Sequence, residues 1–138
     1  MLALMKAVAS GIPLPLAAVA NCRSLIYAEN LADFILHCAD AEAAANQTFL
    51  IGDGSDFSTP ELVRRLAAAM GRPARLFSVP VELLRLGARL AGREHQVQRL
   101  LGSLQVDSTK ARNLLSWSPP VGLDIALKRT VAHMGLRG

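Results

Sequence analysis

The sequence predicts an α/β fold that is mainly helical, with few short strands. Three observations predict it. Ala, Leu and Arg dominate while aromatic residues make up only 4% of the chain, a composition that favours helix. Apolar residues recur at helical spacing through most of the length, and only short runs read as strands. Helical and extended segments also alternate, the pattern of α/β or α+β domains rather than of a bundle. The 138 residues are 51% hydrophobic and 19% charged. That supplies one core and is too apolar for disorder. A single domain, 1–138, is expected.

The elements follow in order. Leu2 to Ser10 forms a short helix with Leu4, Met5, Val8 and Ala9 inward, stopped by Gly11. Pro13 and Pro15 hold the chain extended through Leu16. Ser24 to Ala28 is a strand. Asn30 caps the next helix, whose apolar stripe is Leu31, Phe34, Ile35 and Cys38. Thr48 to Ile51 is a second strand, followed by a turn over Gly52 to Asp56. Ser58-Thr59-Pro60-Glu61 is a helix start: a hydroxyl cap, a proline in the first turn and a glutamate for a capping box. Leu62, Leu66, Ala69 and Met70 form the stripe of that helix, and Gly71 ends it.

Arg75 to Val79 is a third strand. Pro80 opens a helix bearing Leu83, Leu84, Leu86 and Leu90, and Gly92 breaks it. A short helix covers Arg93 to Leu101, and Leu104 to Val106 is a last small strand. Asp107 caps a helix over Ser108 to Leu115. Trp117 to Pro120 stops it, and Leu123 to Met134 closes the chain.

The net charge is +4 and the sequence pI about 9.7, which points to an anionic partner. The basic residues are dispersed, without a Lys/Arg block or interleaved aromatics, so a nucleic acid is not the expected partner. Cys22 and Cys38 have no metal-ligand spacing and read as reduced thiols, so a cytoplasmic protein is expected. The first 22 residues are apolar, but they lack a basic leader and are interrupted at Ser10 to Pro15, unlike a secretory signal. No segment is long and uncharged enough to span a bilayer, and a membrane partner is not expected.

Much chemistry is absent. No strand is followed by GxGxxG, and Gly52-Asp53-Gly54 is a turn. His37, His95 and His133 stand apart on different elements and read as surface or helix-end residues. Tyr27 has no lysine four residues on. No catalytic residue and no metal ligand is assigned.

Three segments, in order, resemble one family. Arg23-Ser24-Leu25-Ile26-Tyr27-Ala28-Glu29-Asn30-Leu31-Ala32 is similar to an Arg-x-x-hydrophobic-x-hydrophobic-x-Asp/Asn-Leu-Ala segment. Thr48 to Gly54 with Ser58-Thr59-Pro60-Glu61-Leu62 is similar to a strand followed by a capped helix. Val106-Asp107-Ser108-Thr109-Lys110-Ala111, with Leu114-Leu115 and Trp117-Ser118-Pro119, is similar to an Asp-x-Ser/Thr-Lys-Ala…Leu-x-Trp-x-Pro ending. Together they resemble the nucleotide-sugar epimerases and dehydratases of the extended short-chain dehydrogenase/reductase family, over their carboxy-terminal, substrate-binding part.

The resemblance implies a substrate held by its nucleotide diphosphate while NAD abstracts hydride at the sugar. The NAD site and the catalytic Tyr-x-x-x-Lys belong to that family's Rossmann half, of which this sequence carries no motif. A fragment or truncation is therefore expected, with Met1 an internal methionine, no cofactor bound by this chain and no turnover alone. Arg23 falls where the family places an arginine on the diphosphate, and Arg99 near a second. Leu14, Pro15 and Leu16 fall where extended backbone meets the base. Asp107, Lys110 and Trp117 read as cap, surface charge and core anchor. Apolar surface meant for the missing Rossmann domain implies possible self-association. A stand-alone, non-catalytic binding or interaction domain is the alternative, and a basic helical nucleic-acid-binding module a third.

Overall fold

A computed structural model describes residues 1–135. The helices are α1 (Leu2–Ala9), α2 (Ala28–Asp40), α3 (Thr59–Ala69), α4 (Val81–Leu90), α5 (Glu94–Leu101), α6 (Thr109–Leu115) and α7 (Leu123–His133), with a 3₁₀ turn at Glu42–Ala44. Strands β1 (Arg23–Ser24) and β2 (Asp56–Phe57) pair antiparallel, Arg23 opposite Phe57. Two isolated parallel bridges, Leu14 to Leu76 and Arg23 to Leu104, complete the extended pairing among the described residues. The mainly helical expectation with few short strands holds.

The α3 start matches its sequence signals. Ser58 Oγ accepts from the Glu61 N–H at 3.3 Å, and Pro60 occupies the first turn. Glu61 does not close the capping box; its carboxylate instead pairs with Arg65, one turn on. Gly11, Gly71 and Gly92 take positive φ where helices end, the conformation glycine adopts without steric cost.

Two apolar clusters form. The larger joins Met5 and Val8 of α1, Leu16 and Val19, Phe57, the Leu62–Val63–Leu66–Ala67–Met70 face, and Leu127 and Val131 of α7. The smaller gathers Phe34, Ala111, Leu115 and Trp117. There the Phe34 ring stands edge-on to Trp117 and Phe49, with centroids 4.9 and 5.7 Å apart, the preferred aromatic geometry. Trp117 is the expected core anchor, and its indole N–H also donates to Asp33 at 2.8 Å. Lys110 stays at the surface over the Phe49 ring and donates to the Thr48 carbonyl. Asp107 is not the α6 cap: Ser108 holds that position, and Asp107 Oδ1, one residue before it, accepts from the Thr109 N–H.

Several expected elements differ. Of the expected strand Ser24 to Ala28 only Ser24 pairs, together with Arg23 before it, and Ala28 already belongs to α2. Thr48 to Ile51 lies unpaired among the described residues; its Phe49 and Ile51 pack on the smaller cluster instead of on a neighbouring strand. Of Arg75 to Val79 only Leu76 bridges, and of Leu104 to Val106 only Leu104.

Asn30 is not the α2 cap. It is fully buried inside the helix, and Tyr27 holds the cap position. The Asn30 amide donates to Asp53 and to the Val121 carbonyl and accepts from the Val121 N–H. Satisfying those groups turns Asn30 and Phe34 inward, so Leu31 and Ile35 of the expected stripe face out. On α4, Leu84 packs on the larger cluster and Ala88 is buried, whereas Leu83, Leu86 and Leu90 are exposed. No described helix is long and apolar enough to cross a membrane.

Candidate functional site

The site grows from a tripeptide, Asn21-Cys22-Arg23, wedged between two other segments. Asn21 is buried, and its amide donates to Thr59 Oγ1 and to the carbonyls of Leu100 and Gly102 at 2.9–3.0 Å. Its carbonyl oxygen accepts from the Thr59 N–H. Thr59 Oγ1 in turn donates to Leu100. The first residue of α3 and the last turn of α5 are thus fixed to the residues just before Arg23. Such a network is valuable when every member is satisfied, and no buried side-chain polar atom among the described residues lacks a partner.

Arg23 follows at the centre of three extended segments. It lies opposite Phe57 on one side and bridges Leu104 on the other. The ladder continues through Ser24, whose N–H donates to Leu104 and whose hydroxyl accepts from Val106 and donates to Asp56. The Ser24 hydroxyl, and then the Gln105 amide, hold the Asp56 carboxyl below the usual carboxylate range. Asp56 therefore stays ionised at the ladder's edge and fixes Ser24 beside Arg23.

Arg23 Nη1 donates to the main-chain carbonyl of Arg99. The remaining N–H donors of its planar fork are left for another acceptor. Arg23 and Arg99 line one open cavity of about 400 Å³, together with His95, Gln98, Gly102 and Ser103. His95, Gln98 and Arg99 stand at i, i+3 and i+4 on α5, so one helical face presents all three. A second cavity of about 490 Å³ shares Gln98 and Gly102 and extends to Arg85 and Glu94. A mouth lined by two guanidiniums, an imidazole and an amide, without a carboxylate, suits a small anion.

The sequence-predicted residues fall in two places. Arg23 and Arg99, 76 residues apart, are brought together. Leu14, Pro15 and Leu16 do not line that cavity. The Leu14 N–H donates to Arg75 and its carbonyl accepts from Phe77, while the Leu16 carbonyl accepts from Val19. Leu16 itself is buried in the larger cluster. The Pro15 carbonyl and the Leu16 N–H remain as main-chain groups of that segment. His95, expected as an ordinary surface histidine, lies in the cavity; its spacing to Arg99 was the signal for it. Asn21 carried no local signal, because its partners are 38 to 81 residues away. Among the described residues no group of three or more His, Cys, Asp or Glu is placed to hold a metal.

The ordered motifs point to a class: the chain is similar in sequence to a nucleotide-sugar epimerase, and its mainly helical architecture is consistent with a carboxy-terminal part of one that lacks the Rossmann half. Its sequence is 44% identical over 128 residues to UDP-glucose 4-epimerase of Vibrio cholerae. The match covers 92% of this chain and spans 39% of that relative's length. No family model matches the chain, and no solved structure does.

Proposed function

We propose that this chain, as one substrate-binding domain over residues 1–138, binds a nucleotide diphosphate sugar for an NAD-dependent epimerase or dehydratase and does not turn it over alone. The convergence of Arg23 and Arg99 on one open cavity supports this above all else. Each guanidinium offers paired N–H donors at the spacing of phosphate oxygens. The network around Asn21 and Thr59 fixes the backbone from which both project, so little ordering remains to be done on binding. Base recognition falls to the Pro15 carbonyl and the Leu16 N–H. NAD, where the full-length relatives use it, would supply hydride transfer. This sequence carries neither a dinucleotide-binding loop nor a Tyr-x-x-x-Lys pair, so the chain's share is binding and orientation.

Titration of the labelled chain with a uridine diphosphate sugar, followed by NMR, tests the proposal. Shift changes are expected at Arg23, His95, Arg99 and Ser103. Arg23→Ala is expected to weaken binding about tenfold or more, the worth of a charge-assisted hydrogen bond. Absence of changes near Arg23 at millimolar ligand would overturn the assignment. A non-catalytic interaction domain would then be the better account.

A further inference from the structure

The second cavity, of about 490 Å³, is lined by residues of α4 and α5 and adjoins the one lined by Arg23 and Arg99. The turn between the two helices builds it. Gly92 takes positive φ, its N–H donates to the Arg89 carbonyl, and the Arg93 N–H reaches back to Ala88 at 2.8 Å. That pair of bonds is a Schellman ending of α4. Helix α5 starts directly after it, at Glu94, and packs alongside α4.

The lining differs in kind from that of the first cavity. Ala88 is buried, Val97 is half-buried and Leu101 packs on the larger cluster, so one wall is apolar. Arg85 and Glu94 are exposed and bring opposite charges to the same space. They form no ion pair with each other among the described residues. Glu94 Oε1 accepts a long bond, 3.4 Å, from the Gln98 amide one turn on. An anion there meets Glu94, and a cation meets Arg85. A wholly apolar group strands both charges away from water. A neutral group rich in hydroxyls answers both, since each hydroxyl donates to a carboxylate and accepts from a guanidinium.

Position narrows the class further. Gln98 and Gly102 line both cavities, so one ligand can run from the first into the second. Gly102 puts no side chain between them, and a Cβ there would stand 3.0 Å from the Gln98 carbonyl oxygen. In a nucleotide diphosphate sugar the diphosphate is bonded to a sugar ring at each end, ribose on one side and the second sugar on the other. The base lies one ring farther, and Leu14, Pro15 and Leu16, proposed to meet it, line neither cavity. We propose, on the diphosphate reading of Arg23 and Arg99, that the α4–α5 cavity takes a sugar ring bonded to that diphosphate, with a vicinal diol donating to Glu94 and accepting from Arg85.

Calorimetric titration of the 138-residue chain with inorganic pyrophosphate, uridine diphosphate and uridine diphosphate glucose tests it. Glu94→Ala and Arg85→Gln are each expected to weaken uridine diphosphate glucose about tenfold more than pyrophosphate, as for lost charge-assisted hydrogen bonds. Removing a negative charge beside an anion site by itself tightens anion binding, so a loss on Glu94→Ala marks a direct contact. An equal loss with uridine diphosphate, smaller with its 2′-deoxy analogue, places ribose in the cavity. A loss confined to uridine diphosphate glucose places the second sugar there. A loss with uridine diphosphate that is undiminished in the deoxy analogue puts the base there and overturns the proposal. So does uridine diphosphate glucose weakened no more than pyrophosphate in either variant, a result that leaves the diphosphate reading standing. Pyrophosphate that fails to bind the parent, or binds Arg23→Ala equally well, overturns that reading and this proposal with it.

Discussion

Asn30 shows how much one side chain can organise. It is fully buried, and its amide joins α2, the Asp53 loop and the segment before α7. Asp53 Oδ2 also accepts from the Tyr27 N–H, so the carboxylate closes the first turn of α2 from outside. Removing the amide leaves polar groups of Val121 and Asp53 unpaired, a costly outcome in a buried site. Asn30→Ala is expected to destabilise by about 3 kcal/mol in urea denaturation. Gly54 is constrained at the same scale: its φ is +77°, and a Cβ there would meet the Arg112 guanidinium. The Asn-Leu-Ala motif pointed to Asn30. Its role as a buried hub was not legible, because an asparagine near a helix start reads more simply as a cap.

At the scale of elements, helix ends were easier to foresee than helix faces. The α3 start is a local matter of a hydroxyl, a proline and free N–H groups. Ser58→Ala is expected to cost about 1 kcal/mol, with Ser58→Asp retaining most of the parent stability in thermal unfolding. Faces depend on what lies opposite. Leu31 and Ile35 have helical spacing, yet Asn30 and Phe34 turn inward because Asp53, Val121 and Trp117 lie there. Leu83, Leu86 and Leu90 were as apolar as Leu84, and only packing separates them. The short strands were overestimated for the same reason. A β-prone run such as Thr48 to Ile51 becomes a strand only when another backbone pairs with it.

At the scale of the molecule, two apolar clusters hold different parts of the chain. The larger binds α1, α3 and α7. The smaller depends on four buried residues, with Trp117 against Phe34 at its centre. Trp117→Ala is expected to cost about 3–5 kcal/mol and to loosen α6 first, with loss of amide protection over Thr109 to Leu115. Carboxylates set the response to acid. Asp56 is held below its usual range by Ser24 and Gln105, and Asp107 by Thr109. A carboxyl with a depressed folded-state pKa contributes stability that is present above its unfolded value and lost as pH falls through the folded one. Stability is therefore expected to be flat from neutral to mildly acidic pH and to decline below about pH 4. Asp56→Asn should flatten part of that decline in pH-dependent urea unfolding.

The sequence alone determined the helical character, most helix boundaries near their hydroxyls, prolines and glycines, and the anchor at Trp117; Arg23 and Arg99 were singled out by the family resemblance. Those are written in local chemistry: hydroxyls before helices, glycines after them, and ordered motifs along the chain. Only the tertiary structure decided that Arg23 and Arg99 share a cavity, that Leu14 spends its backbone on Arg75 and Phe77, and that the outer leucines of α4 lie outside both apolar clusters among the described residues. Each of those depends on contacts between residues far apart in the chain, and no local pattern encodes which distant group will arrive.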